Sequence, residues 1–213
     1  MSIWPNNPSL RPVGPRLLII ACGALARELN MLRRADCRMV FDVTYVPAIL
    51  HNRPEHIASA VKARIDAVRG RYHRIFCAYG DCGTGGALDE LLRAEGIDRL
   101  PGAHCYEFIA GSQPFFALMS EEIGSFFLTD YLARHFERLV WQGLGLDRHP
   151  GLRDDYFAHY RRVVHLVQAP DKAVSDKAAG AARKLALPLK TIFTGLELLS
   201  SHLEAASIAS PHG

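Results

Sequence analysis

Twice in its first ninety residues the chain runs a short, unbroken apolar stretch into a glycine turn and then into a helical pattern, and nothing else in it constrains the fold as tightly. The run 17–21 (LLIIA) ends at Cys22 and Gly23, and the run 73–79 (HRIFCAY) ends in Gly80, Asp81, Cys82, Gly83, Thr84, Gly85 and Gly86. A strand that is apolar on both sides is covered on both faces, the situation of a central parallel strand. Residues 24–34 (ALARELNMLRR) and 87–95 follow with helical spacing and good helix formers. Between them 39–46, rich in Val, Phe, Thr and Tyr, reads as a second strand closed by Pro47, and Pro54 opens an amphipathic helix to about residue 69.

Strands alternating with helices predict a parallel α/β fold. A fourth strand or extended loop is expected over 99–111. The aromatic-rich stretch from 114 to about 144 reads as two helices broken near 124–129, and 147–161 as a capped helix after a His-Pro turn. Strands at 163–167 and 189–193, with helices at about 171–187 and from about 196, repeat the first half's logic. The expected architecture is a Rossmann-like, three-layer parallel α/β sheet of two strand–helix halves, 16–111 and 145–213, joined by a long helical connection over 112–144. These form one domain over 16–213, behind a flexible lead-in, 1–15, that contains Pro5, Pro12 and Pro15.

Charge excludes some functions. The 25 basic and 22 acidic residues of the 213 intermix, so no basic run is available to grip nucleic acid or a membrane surface. No apolar run approaches the roughly 20 residues that a membrane helix needs, and the N-terminus lacks the apolar core of a secretory signal; a cytoplasmic location is expected. Five cysteines, odd in number and unevenly spaced, suggest metal binding, catalysis or burial in place of a disulfide framework.

Open parallel sheets bind ligands beyond the carboxyl ends of their strands, where turns present backbone N–H groups. Cys22, Cys82 and Cys105 are each expected in a turn after an apolar strand. Their convergence would hold an iron–sulfur cluster with one iron left open, or zinc with His104, Asp81 or water in the fourth place. His104, Asp81 and Glu107 are the candidate acid–base groups. Gly23, Gly80, Gly83, Thr84 and Gly85 are the candidate anion or cofactor contacts, although the turn matches neither the P-loop nor the dinucleotide fingerprint.

Each reading has a plainer counterpart. The cysteines can be inert buried hydrophobes, as is expected of Cys37 and Cys77, and the glycines can serve only a tight turn. Asp155 and His159 share a helix face as a metal pair or a salt bridge, and Thr129 and Asp130 read as a helix N-cap and first turn. The aromatic stretch 115–141 covers the core or forms a dimer face, which leaves a homo-oligomer open.

Several of these segments together resemble a known family. The residues Ala21-Cys22-Gly23-Ala24-Leu25 with Glu28, Tyr79-Gly80-Asp81-Cys82-Gly83, and His104-Cys105-Tyr106-Glu107-Phe108 are similar to the bacterial and archaeal proteins grouped as domain of unknown function 1638. The likeness continues through Leu128-Thr129-Asp130, 144–160 and Phe193-Thr194-Gly195. That resemblance implies a link to corrinoid-dependent methyl-transfer systems and the metabolism of methylated compounds. The corrinoid-ligating DxHxxG motif is absent from this chain, so direct cobalamin ligation of that kind is not expected.

Three functions are carried forward. The first is a metal- or iron–sulfur-binding protein, an enzyme on a small anionic or methylated metabolite, with Cys22, Cys82 and Cys105 as ligands. The second is a non-catalytic accessory protein holding a metal or cofactor for a methyltransferase partner. The third is a transferase or hydrolase whose nucleophile is Cys82, its thiol acidified at a helix N-terminus.

Overall fold

The computed structural model describes residues 17–35 and 40–208; the lead-in expected over 1–15 and Cys37 lie outside the described residues. The chain is parallel α/β, but its strands divide into two sheets. The first has the order β2 (Phe41–Val46), β1 (Leu17–Cys22), β3 (Arg74–Ala78), β4 (Asp98–Arg99), parallel throughout. The second has the order β5 (Ser125–Thr129), β6 (Arg162–Val167), β7 (Leu189–Phe193), also parallel.

A 3-10 turn over Gly23–Leu25 leads from β1 into α1 (Ala26–Ala35); α2 (Ile57–Val68) and α3 (Ala87–Glu95) complete the first half's crossovers. Two short helices, α4 (Cys105–Ala110) and α5 (Ser112–Glu121), precede β5. The second half contains α6 (Asp130–Phe136), which runs into a π turn at Glu137–Trp141, then α7 (Leu152–Tyr156), α8 (Lys172–Leu185) and α9 (Glu197–Ile208).

The continuous apolar run of β1 is explained by cover on both faces. Leu17, Ile19 and Ala21 enter a core shared with Phe127, Val164 and Leu166 of the second sheet. Leu18, Ile20 and Cys22 instead pack against Val61 and Ile65 of α2 and Leu88 and Leu92 of α3. On the far side of the second sheet, Leu128 and Val163 meet α6 and α8. Each sheet thus carries helices outside, and one apolar core joins the two.

Three expectations are corrected. The connection over 112–144 is not all helical, because the expected break at 124–129 is strand β5, so the second half begins there and not at 145. The expected strand over 99–111 shrinks to Asp98–Arg99, and Cys105 opens a helix where a turn had been expected. The helix expected over 147–161 is the five-residue α7. No helix among the described residues is long and apolar enough to cross a membrane.

Candidate functional site

The two sheets turn their carboxyl ends toward one small chamber of about 30 Å³. Four strand ends reach it: Cys22 closes β1, Tyr79 follows β3, Thr129 closes β5 and Gln168 follows β6. Cys82 and Cys105 line it as well, so the three cysteines selected from the sequence share one enclosure.

The backbone explains how the two loops meet. Gly80 passes so close to the loop after β4 that a Cβ there would stand 3.2 Å from the His104 carbonyl carbon. The Asp81 and Cys82 amides donate to the carbonyls of Gly102 and Ala103 at 3.2 and 2.8 Å. Cys82 sits at φ +52, a left-handed conformation uncommon outside glycine, which turns its side chain inward to the chamber. Glu107, buried at the start of α4, pins the same loop: its carboxylate accepts from the Ala103 amide at 2.9 Å and from the Ser112 hydroxyl at 2.9 Å. Gly23 lets the end of β1 approach the end of β2, where a Cβ would lie 3.3 Å from the Val46 carbonyl oxygen.

Burial and backbone amides act on the thiols in opposite directions. Burial, reinforced by the neighbouring Cys22, pushes Cys82 up to about 11, and burial followed by the charges of Cys82 and Cys22 pushes Cys105 well above the usual thiol range. Cys22 is raised by burial too. Against this, amides face each sulfur: Ala24 donates to Cys22 Sγ at 3.4 Å, Gly80 and Cys105 act on Cys82, and Tyr106 acts on Cys105. The charge of Cys22 acts on both Cys82 and Cys105, and all three residues line the one chamber. The Tyr79 hydroxyl approaches Cys22 closely enough for each to shift the other, yet it is buried without a well-formed hydrogen bond.

The other expected site residues fall outside this lining. Asp81 organises its own turn: burial raises its carboxyl, but the Thr84 hydroxyl at 2.5 Å and the amides of Gly86, Gly85 and Gly83 outweigh burial and hold it below its usual value. The amides that would cradle an external anion are therefore turned on Asp81. His104 is exposed, with its ring 6.5 Å from that of Tyr106. Cys77, wholly buried and pushed up to about 12 by desolvation, is the inert thiol expected of it.

Sequence reasoning missed three contributors, His51, Tyr79 and Gln168. It also gave Asp130 only a helix-terminus role. Asp130 is fully buried and clamps the second sheet's strand ends: Oδ1 lies 3.0 Å from His165 Nε2, and Oδ2 accepts from the Gln168 and Ala169 amides at 3.1 and 3.0 Å. A buried carboxylate with three partners is satisfied locally, and here its effect is to hold Gln168 at the chamber wall. The signal available for Asp130 was its place immediately after an apolar run.

Among the described residues, no group of three or more His, Cys, Asp or Glu is arranged to hold a single metal ion. A family described as protein of unknown function (DUF1638) matches residues 45–203. That span includes Cys82 and Cys105 but not Cys22. Neither a curated protein nor a solved structure gives a match.

Proposed function

Since the chain belongs to the DUF1638 family, whose description assigns no activity, we propose from its chamber that it is a metal-centre protein in which Cys22, Cys82 and Cys105 are the ligands of an iron–sulfur cluster or a zinc ion. The observation that carries this reading is the set of three thiols in one enclosure, with the Ala24 amide donating to Cys22 Sγ. Amides aimed at sulfur favour the thiolate, and hydrogen bonds of this kind tune cluster potentials. No lysine or arginine lines the chamber among the described residues, so if the three thiols ionise to bind, the bound cation itself would supply their counter-charge.

Zinc and a cluster ask different spacings of the three thiols. Three thiolates on one zinc stand roughly 4 Å apart, because Zn–S bonds are about 2.3 Å long. A cluster takes each thiolate on a different iron and so suits a wider set. When bound, such a centre with three protein ligands supplies an open Lewis-acidic position to a small molecule. Around it the chain's own residues exclude water through Phe108 and Ile109 and hold the ligand loops in register through Gly80, Glu107 and Asp130. The nucleophile reading gains less, since burial raises Cys82 where that chemistry needs it lowered.

Anaerobic purification with metal analysis and visible spectroscopy tests the proposal. Bound metal is expected, iron with thiolate-to-iron absorption for a cluster or colourless zinc, lost in Cys22→Ser, Cys82→Ser and Cys105→Ser and retained in Cys77→Ser. Colourless, metal-free protein would overturn both.

A further inference from the structure

Beside the thiol chamber lies a groove of about 290 Å³, and the two share Ala24, His51, Cys105 and Thr129. A molecule in the groove therefore lies against Cys105 and beside the thiols. Its walls are Tyr106, Phe126, Leu132, Leu139, Val140 and Leu144, and no Asp, Glu, Lys or Arg lines it among the described residues. A charged guest would lose its hydration there with no opposite charge to replace it, whereas an uncharged one gains from apolar burial. An apolar concavity with a few convergent polar groups is the usual form of a small-molecule site.

Asn52, Thr129 and Tyr131 also line the groove, and of its polar groups His51 is the one whose ring is tied to the thiol chamber through Tyr79. The Nδ1 of His51 lies 2.9 Å from the Ala48 carbonyl oxygen, and a carbonyl only accepts, so Nδ1 carries the hydrogen and Nε2 presents a lone pair. The ring also stacks on Tyr79, centroids 6.0 Å apart, which ties it to the chamber wall. We propose that this groove is the substrate site of the thiol centre and takes an uncharged, largely apolar small molecule bearing one hydrogen-bond donor for His51 Nε2. Desolvation lowers the His51 pKa, which favours the neutral ring that role uses. The substrate role rests on the metal-centre reading; the class of ligand rests on the groove's own lining.

The test titrates the full chain at neutral pH with two fluorescent probes that share one aromatic body. These are N-phenyl-1-naphthylamine, which is neutral and carries an N–H donor, and its sulfonated, anionic counterpart. The neutral probe is expected to saturate at one site per chain and to bind at least about tenfold more tightly than the anion. Leu144→Glu, at a position 40 % exposed on the groove and so tolerant of polarity, should weaken the neutral probe about tenfold or more. His51→Leu should weaken it and His51→Gln, which restores an acceptor, should not. Equal or tighter binding of the anion, indifference to Leu144→Glu, or no binding at all would overturn the groove. Metal content measured on the same preparations separates the two readings. Cysteine-dependent metal without probe binding removes only the groove, and probe binding without such metal removes only the thiol centre.

Discussion

At Cys82 the conflict between burial and solvation becomes a stability that depends on pH. Burial lifts this thiol from its usual value near 9 to about 11 in the folded chain, so folding favours the protonated form. A raised pKa gives stability that is complete below the unfolded value and is lost as pH rises through the folded one. Metal-free protein should therefore lose resistance to urea between about pH 9 and pH 11, and Cys82→Ser should lose less of it over the same range. Urea midpoints across that range decide the matter; a parallel decline in both proteins would remove the thiol as the cause. Cys22 and Cys82 were legible in the sequence because each lies near the end of an apolar run, and strand ends are where parallel sheets gather their loops; Cys105 was picked out beside a strand that the structure shortens to Asp98–Arg99, and it reaches the chamber from the start of α4. His51, Tyr79 and Gln168 were not, because nothing local says which strand ends will face each other across two sheets. Asp81 and Glu107 were singled out for their charge, yet their carboxylates are held by backbone amides that no spacing rule reveals.

Among the elements, β5 is the instructive miss. Phe115 and Leu118 continue a helical spacing, and the five-residue run SFFLT that follows is too short to declare its own period against that background. What identifies it is tertiary: Phe127 faces the shared core while Leu128 faces α6 and α8, the alternation of a strand covered on both sides. The junction from β5 to α6 then does two jobs. Thr129 caps α6 by accepting from the Leu132 amide at 3.2 Å, and Asp130 reaches across to β6. Asp130→Ala would leave the Gln168 and Ala169 amides and His165 Nε2 without their acceptor in a dry interior, a loss of about 3 kcal/mol or more. Asp130→Asn keeps one acceptor oxygen and should lose about half as much. Chemical denaturation measures both, and Ala and Asn variants of equal stability would contradict the clamp.

At the scale of the molecule, the two sheets are bound by what lies between them. Arg27 of α1 pairs with Asp171 at the start of α8 at 3.0 Å, a partly exposed bridge of small worth. Deeper in, Glu28 of α1 meets Arg134 of α6 at 3.6 Å with one oxygen and one nitrogen left unpaired, and burial raises the Glu28 carboxyl. An ion pair so placed contributes little net stability, because desolvation offsets attraction. Cohesion must come instead from the shared core, where Leu166 of β6 is wholly buried with Ile19 and Ala21 of β1. The halves should then unfold as one unit. Leu166→Ala, a cavity in the second sheet, should cost about 2–5 kcal/mol. The same shift in urea midpoint should appear when unfolding is followed by alkylation of Cys77, which is buried in β3 of the first sheet. If the Cys77 midpoint stays fixed while the far-ultraviolet signal moves, each half folds on its own core. The chamber between their strand ends would then be a seam between independent units, and its thiols could part without unfolding either.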